Sequence, residues 1–223
     1  MTSSRWHAHG NVYLVVEGEE VTLDPDGDGA LEVLAVDGDE IRIAIVNTDG
    51  SLAEMSGNGT RIAAAWLMER TGRSVARVHV GPRVVEVHRV AGDLYEADMG
   101  MVEVGALATV EGIELTPVSV GNPHAVVVGD PDEIERIGPL LETHAHFPDR
   151  TNVQVVRVDA PGEVTARVWE RGVGETTASG SSAVAVAAAT HAEGDVLVHF
   201  RGGDLRVRLN DGRATLTGPA QPV

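Results

Sequence analysis

The chain has 223 residues, 17 of them basic and 34 acidic, which gives a formal net charge of −17 at pH 7. The length suits one large globular domain or two small ones, and the acidic balance repels polyanions, so we expect no nucleic-acid partner. All 17 basic residues are arginine, which excludes a cofactor held as a Schiff base on lysine. The absence of cysteine excludes disulfides, thiolate metal sites and thiol nucleophiles.

The sequence carries no pattern for membrane insertion or export. No apolar run reaches the roughly 18 residues that a membrane span needs. The first residues, Met1 to Trp6, lack the basic-then-apolar order of a signal peptide. We therefore expect a cytoplasmic protein without a membrane partner.

Most of the chain predicts short strands rich in β-branched residues. Alternation such as Arg-Val-Val-Glu-Val-His-Arg-Val at 83–90 is typical of a sheet with one solvated face. Pairs of Gly, Asp and Pro between these runs predict turns. In chain order the predicted strands are Val12–Glu17, Leu31–Val36, Ile41–Asn47, Ala76–Val80, Arg83–Val90, Leu94–Met99, Ala125–Val128, Asn152–Asp159, Val164–Glu170, Val196–Arg201, Leu205–Leu209 and Ala214–Thr217.

Three helices are predicted among these strands. They cover Asn58–Arg70, which stops near Gly72, then Asp132–Glu142, and finally Gly180–His191. The pair Gly138-Pro139 is expected to break the second helix in its middle. The third helix is almost entirely small and apolar, so we expect it to be buried on all sides within a cylinder of strands.

The first and third helices begin alike, with Ser56-Gly-Asn-Gly-Thr and Ser179-Gly-Ser-Ser, and the two serines lie 123 positions apart. We infer two similar lobes, each with strands around one central helix. The N-terminal lobe is predicted over residues 1–106, completed by 214–223, and the C-terminal lobe over 107–213. Two unrelated serine N-caps remain the other interpretation.

The two helix starts are candidate ligand sites. A helix N-terminus presents unpaired N–H groups and a partial positive charge, so it binds anions, and glycine after the serine allows close approach. If the two ends face each other across a cleft, they hold carboxylate groups and place Ser56 and Ser179 on opposite sides of the ligand. This geometry suits an enzyme that removes a proton from one face of a carbon and returns one to the other.

Other polar residues stand at predicted strand ends and turns, where ligand-binding groups are often found. Glu170-Arg171 could pair an ammonium with its carboxylate and a carboxylate with its guanidinium. Taken singly, each such residue is a turn or cap residue more readily than a ligand contact. The asparagines in question are Asn11, Asn47, Asn58, Asn122 and Asn152.

Several segments resemble the signature blocks of the diaminopimelate epimerase family. They are Asn47-Thr-Asp-Gly-Ser, Glu54-Met-Ser-Gly-Asn-Gly-Thr-Arg61, Gly121-Asn-Pro-His124, Phe147-Pro-Asp-Arg-Thr-Asn152 and Glu170-Arg-Gly-Val-Gly-Glu-Thr-Thr-Ala-Ser-Gly-Ser181. They occur in the family's order, from His9-Gly10-Asn11 to Thr217-Gly-Pro-Ala220. The resemblance covers nearly the whole chain.

This resemblance implies an α+β, pyridoxal-independent racemase fold of two pseudo-symmetric lobes, each a β-barrel-like sheet around a central buried helix. It implies a small amino-acid substrate, LL- or meso-2,6-diaminopimelate on the bacterial route to lysine and peptidoglycan, and no cofactor or metal; a homodimer remains open. Carried over by position, the substrate contacts are Asn11, Asn47, Gly57, Asn58, Asn122, Asn152, Glu170, Arg171, Gly180 and Ser181, with His124 and Glu32 as supporting residues.

The chain departs from the family at the two acid/base positions, where Ser56 and Ser179 replace cysteines. A thiol has a pKa near ~8.5 and an alcohol one near ~15.7. The gap of roughly 7 units amounts to about 10 kcal/mol against forming the base, and a helix dipole contributes at most ~2 kcal/mol. Two alternatives to epimerisation follow: other proton chemistry with His124, Glu170 or Glu175 as base, or amino-acid binding without catalysis.

The acidic run Asp24-Pro-Asp-Gly-Asp28-Gly29 invites a calcium interpretation. An EF-hand loop needs a glutamate at its twelfth position, which here is Ala35. We therefore expect an acidic turn.

Overall fold

A computed structural model describes residues 2–9, 11–18, 21, 23–53 and 55–223. The chain divides into two compact units: Met1–Asp98 with Thr217–Val223, here the first unit, and Met99–Leu216, the second unit. The lobe boundaries given above stay predictions. Within the described ranges, no helix has the length and apolar character needed to cross a membrane.

The first unit is a sheet packed around one helix. Helix α1 (Gly57–Thr71) is buried from Gly57 to Met68 and ends at Gly72, whose φ of 71° allows its N–H to reach the Met68 carbonyl. The strands are β1 (Thr2–Ala8), β2 (Asn11–Glu17), β3 (Gly29–Asp37), β4 (Glu40–Asn47), β5 (Leu52–Ala53), β6 (Val75–Val80), β7 (Arg83–Ala91) and the first five residues of β8 (Leu94–Met101). Helix α1 contacts β1, β2, β4, β6 and β7, so strands cover most of its surface.

The second unit has the same plan with an added helix. Helix α3 (Gly180–Thr190) contacts six strands, and helix α2 (Ile134–Glu142), preceded by a 3-10 turn at Pro131–Glu133, packs outside it on two of them. The strands are β9 (Glu103–Val104), β10 (Ala108–Val110), β11 (Ile113–Ser119), β12 (Pro123–Val128), β13 (Asn152–Ala160), β14 (Glu163–Glu170), β15 (Gly174–Thr176), β16 (Gly194–Phe200), β17 (Gly203–Asn210) and the first four residues of β18 (Arg213–Pro219). A last short strand, β19 (Gln221–Pro222), pairs with β1 in the first unit.

The two units repeat one order of strand pairing. In the first, β1–β2 is antiparallel, β2–β3 parallel, β3–β4 and β4–β5 antiparallel, β4–β6 parallel and β6–β7 antiparallel. In the second, β11 to β17 follow the same sequence of orientations. Strands β3 and β13 begin at Gly29 and Asn152, again 123 positions apart. The internal repeat and the α+β fold class are therefore confirmed.

The helix predictions need two corrections. The expected break at Gly138-Pro139 is wrong, because α2 continues through Pro139 to its end. Packing outweighs the hydrogen bond that proline removes: a Cβ on Gly138 would lie 2.7 Å from Trp169 Cβ, so the helix lies directly on that ring. Helix α3 is buried only as far as Ala187, and its last three residues are half-buried. In α2, the apolar residues of the cluster against which Trp169 packs are Ile134, Ile137 and Leu141.

Two long strands, β1 and β11, are absent from the sequence prediction. Strand β11 contains Pro117, which discourages a strand assignment, yet it pairs with β10 and β12 on its two edges. The acidic run before β3 is a turn, as expected. In it the Asp24 carboxylate accepts the N–H of Asp26 at 3.0 Å, and the Asp28 carboxylate accepts the N–H of Val12 at 2.7 Å.

Candidate active site

Helix α1 begins at Ser56, whose side chain is held by the helix itself. Its backbone is extended (φ −141°, ψ 119°), and its Oγ accepts the N–H of Gly59 at 3.0 Å. The Tyr13 hydroxyl lies 3.4 Å from the same Oγ. Glycine at 59 keeps this cap tight, because a Cβ there would lie 3.3 Å from Ser56 Oγ. Ser56 is thus an N-cap whose oxygen acts as an acceptor.

A buried polar chain continues from this helix start. Asn58 donates through its side-chain amide to Asn11 Oδ1 and accepts from Arg61 Nη2 at 2.6 Å. Arg61 Nη1 donates to the Gly57 carbonyl at 3.1 Å. The guanidinium is fully buried, and burial lowers the pKa of Arg61 to about 10. At neutral pH it remains a cation within the first turns of α1.

Helix α3 begins at Ser179 with nearly the same backbone (φ −141°, ψ 129°) but without a side-chain cap. Its Oγ donates instead to Glu170 Oε2 at 3.1 Å, and Glu170 Oε1 accepts from Thr176 Oγ1 at 2.6 Å. Ser179 is buried and Glu170 half-buried. This arrangement gives the serine hydroxyl a carboxylate as a proton acceptor.

Asn152 ties the neighbouring loop to the sheet. Its Oδ1 accepts the backbone N–H of Arg171 at 3.0 Å, and its Nδ2 donates to the Pro123 carbonyl at 2.9 Å. The Arg171 guanidinium donates to the Asp149 carbonyl at 3.2 Å. The buried Glu142 carboxylate, which sequence reasoning missed, accepts the N–H of Gly172 at 2.6 Å. The Glu170-Arg171 corner is therefore braced from two sides.

His124 is buried and hydrogen-bonded through both ring nitrogens. Nε2 lies 3.0 Å from Asn122 Oδ1, and Nδ1 lies 3.0 Å from Gln154 Nε2. Burial, assisted by the charge of Arg171, lowers the pKa of His124 to about 3. The ring is therefore neutral at physiological pH and too weakly basic to take a proton from an amino acid.

Glu175, the third base considered from the sequence, is committed to an ion pair. Arg167 donates to its two oxygens at 2.7 Å each, and Arg201 Nη1 lies 3.3 Å from Oε1. The hydrogen bond from Arg167 holds the pKa of this carboxyl below its usual range. Of the three alternative bases, only Glu170 contacts one of the two serines through a hydrogen bond described here.

The remaining predicted residues lie in a turn, on a strand or in the first turns of the helices. Asn47 closes a turn, with Nδ2 donating to Ser51 Oγ at 2.9 Å. Glu32 is half-buried on β3. The helix-start residues Gly57, Gly180 and Ser181 are buried in first turns. Two residues of the signature blocks, Gly10 and Glu54, lie outside the described residues.

Sequence reasoning also missed two side chains of these clusters, Tyr13 and Gln154. Each follows a predicted site residue by two positions on the same strand: Tyr13 follows Asn11 on β2, and Gln154 follows Asn152 on β13. Side chains two apart share one face of a strand. This spacing was the signal that could have found them.

The sequence is similar to those of known proteins along most of its length. The sequence model of the diaminopimelate epimerase family matches residues 7–104 and 116–223. The chain is 37% identical over 232 residues to the diaminopimelate epimerase of Desulfitobacterium hafniense, covering 88% of this chain and 81% of the relative. It is 34% identical over 263 residues to that of Xanthomonas euvesicatoria, covering 97% and 92%.

Solved structures support the fold alone, because their sequence identities are low. A predicted epimerase from Pseudomonas aeruginosa superposes with a TM-score of 0.77 at 20% identity, covering 99% of this chain and 96% of the other. A hydroxyproline epimerase from Agrobacterium vitis superposes with a TM-score of 0.74 at 16% identity, covering 99% and 88%. From the family match and the close relatives, the chain belongs to the diaminopimelate epimerase family and is an isomerase of the epimerase class.

Proposed function

We propose that this protein interconverts LL- and meso-2,6-diaminopimelate by cofactor-free proton transfer, with Ser56 and Ser179 at the acid/base positions, in lysine and peptidoglycan biosynthesis. The observation that carries this proposal is the pair of equivalent helix starts. Two buried helices each begin at a serine followed by glycine, 123 positions apart, in a chain matched to the family at both places.

Substrate binding is assigned to groups around these helix starts. Backbone N–H groups of Gly57-Asn58 and Gly180-Ser181 suit an α-carboxylate, since helix N-termini attract anions. The buried cation of Arg61 adds positive charge beside the first of them. Glu170 and Arg171 suit the ammonium and carboxylate of an amino acid.

The contact between Ser179 and Glu170 supplies a route for the proton. As Ser179 Oγ takes the α-hydrogen, its own hydroxyl proton passes to Glu170 Oε2, 3.1 Å away. The C–H electron pair stays on the α-carbon and forms the new C–H bond on the opposite face with the hydroxyl proton of Ser56, which is replaced by the hydroxyl proton of Tyr13, 3.4 Å away. Glu170 ends protonated and Tyr13 ends as a phenolate, and exchange with solvent restores both. Because Glu170 takes the Ser179 proton and Tyr13 resupplies Ser56 in the same steps, neither serine becomes a free alkoxide, which reduces the penalty of about 10 kcal/mol for an alcohol base.

The direct test is incubation with LL-diaminopimelate in D₂O, followed by mass spectrometry and chiral analysis. We expect slow appearance of the meso isomer carrying α-deuterium. The double variant S56A/S179A is the control, since it removes both hydroxyls and should abolish inversion. Inversion that persists in this variant would contradict the assignment of the serines.

A second candidate, amino-acid binding without turnover, is favoured by the replacement of both thiols by alcohols. It predicts that calorimetry detects binding of LL-diaminopimelate, while the α-hydrogen of the bound ligand never exchanges with D₂O. The same pair of measurements therefore separates the two functions.

A further inference from the structure

Gln154 on β13 is a fully buried polar residue that the proposed proton transfer does not use. Its Nε2 lies 3.0 Å from His124 Nδ1 and 2.9 Å from Ser182 Oγ. These two contacts use both amide hydrogens, and Oε1 has no hydrogen-bond partner among the described residues.

The orientation with Nε2 toward His124 is the better one. As placed, Nε2 faces an acceptor with each of its hydrogens, His124 Nδ1 and Ser182 Oγ. Rotating the amide by half a turn would put Oε1 between these two groups and would require acceptors for both N–H groups on the side where Oε1 now has no hydrogen-bond partner among the described residues. Each buried donor without a partner carries its full desolvation penalty. The neighbouring ring nitrogen, His124 Nδ1, must then accept, which puts the imidazole proton on Nε2.

The position of this proton determines the orientation of Asn122. His124 Nε2 lies 3.0 Å from Asn122 Oδ1, so the ring donates and the amide oxygen accepts. His124 is only 2% exposed, which shields this bond from water. With its oxygen engaged, Asn122 has its Nδ2 hydrogens left to offer, and Asn122 is itself half-buried, on the turn before β12.

We propose that Gln154 is a positioning residue: it fixes His124 as the Nε2–H tautomer and so makes Asn122 a hydrogen-bond donor that selects a carboxylate of the substrate. The inference rests on the proposed function in one respect, that Asn122 touches the ligand. A carboxylate only accepts hydrogen bonds and an ammonium only donates them. Turning the Asn122 amide over would therefore exchange the preferred group.

The first experiment reads the tautomer directly, by long-range ¹H–¹⁵N correlation spectra of the His124 ring in the full chain. We expect Nε2–H in the wild type and in the control S182A, which removes only the other partner of Gln154. In Q154L, which cannot donate, both tautomers should appear, and in Q154E the proton should move toward Nδ1. A wild-type ring with its proton on Nδ1 would overturn the proposal, as would unchanged spectra in both Gln154 variants.

The second experiment asks whether the effect passes through Asn122, using calorimetric titration with LL-diaminopimelate. We expect Q154E and N122D each to weaken binding by about tenfold, the loss of one charge-assisted hydrogen bond. The double variant should be no weaker than N122D alone, because the two changes remove one interaction. Multiplied losses in the double variant would show that Gln154 acts elsewhere and would overturn the proposal.

Failure of the proposed function looks different from failure of this inference. A protein that binds LL-diaminopimelate with the expected tautomer and the expected coupling, yet exchanges no α-hydrogen, lacks epimerase activity but retains the positioning chain. A protein that turns over substrate while its His124 proton lies on Nδ1 is an epimerase in which Gln154 does not position Asn122.

Discussion

The first turns of α1 and α3 occupy equivalent positions in the two units, yet their serines are bound in opposite ways. Ser56 accepts a backbone N–H of its own helix, whereas Ser179 donates to the Glu170 carboxylate. The cause lies one strand away. Glu170 is the last residue of β14, and the last residue of its counterpart β4 is Asn47, which bonds instead to Ser51. Among the described residues, the backbone repeat therefore carries a carboxylate bonded to the serine at the second helix start only.

The neighbouring positions extend this difference. At the same spacing of 123, Arg61 in α1 corresponds to Val184 in α3. The first helix start thus contains a buried cation that is hydrogen-bonded to Asn58, and the second contains a carboxylate that is hydrogen-bonded to its serine. The proposed function therefore uses the first to hold an anion and the second to abstract a proton. Internal duplication fixes where the groups stand but not what they do.

The largest expected effect comes from restoring both thiols. S56C/S179C should raise epimerisation of LL-diaminopimelate by roughly 10³-fold or more, since a thiol's pKa lies about 7 units below an alcohol's. The swap adds little volume, so the fold should tolerate it. Turnover and α-deuterium incorporation are measured for the wild type, both single variants and the double.

The single variants sharpen the comparison between the units. The thiol introduced by S56C should have a lowered pKa, because it lies at a helix N-terminus that donates an N–H to it and because the cation of Arg61 is near. The thiol introduced by S179C should have a raised pKa, because the negative charge of the Glu170 carboxylate lies beside it. The pH dependence of alkylation measures both. A double variant that stays folded and binds substrate but remains inert would show that the pocket no longer supports the reaction.

The next effect is the removal of the carboxylate. E170Q should lower α-deuterium incorporation by about 10²-fold, the size of a general-base contribution, because Ser179 then lacks its proton acceptor. E163Q is the matched control, since Glu163 lies at the other end of β14, exposed and paired only on the surface with His199 at 2.9 Å. Equal rates in E170Q and wild type would remove Glu170 from the proton route.

Much of this fold could be predicted from the sequence, because its signals are local. Ser-Gly before an apolar run gave both helix starts, and period-2 alternation gave most strands. What could not be predicted depends on tertiary contacts. Pro139 is tolerated because α2 lies directly on Trp169, and the partners of Ser56 and Ser179 depend on strands distant in sequence. The sequence was enough to name the candidate site residues, but their hydrogen-bond partners could be identified only from the structure.

A smaller effect should appear in acid, and only the second unit carries it. His124 has a pKa of about 3 in the folded chain and 6.5 as an ordinary histidine. Between these values the unfolded chain binds more protons, so stability falls as pH falls. Urea unfolding should show that, from about pH 7.5 to about pH 5, the wild type loses about 2 kcal/mol more stability than H124Q. The pKa of His199 is raised by its hydrogen bond to Asp204, so this group gains stability over the same range in both proteins, and the difference between them isolates His124.

The control for this pH effect is Y13F in the first unit. Tyr13 and His124 are equivalent, since they pair with the first residues of β3 and β13, Gly29 and Asn152. Tyr13 does not titrate in this range, so Y13F should keep the full acid dependence. If the free energy of unfolding of H124Q depended on pH as steeply as that of the wild type, the acid sensitivity would belong to other groups.

The smallest effect separates the two serines as structural residues. S56A should lower the free energy of unfolding by about 1 kcal/mol, because it removes the N-cap that accepts the N–H of Gly59. S179A removes no cap, but it removes the hydrogen bond that Ser179 Oγ donates to the Glu170 carboxylate, so its cost should be at least as large as that of S56A. Both variants lose a hydroxyl at equivalent helix starts, so the two losses are told apart by their partners. In the E170Q background the loss caused by S179A, measured by urea unfolding, should shrink, while the loss caused by S56A should stay the same. An undiminished loss from S179A would mean that its hydroxyl stabilises the helix as Ser56 does, and its assignment to Glu170 would then be wrong.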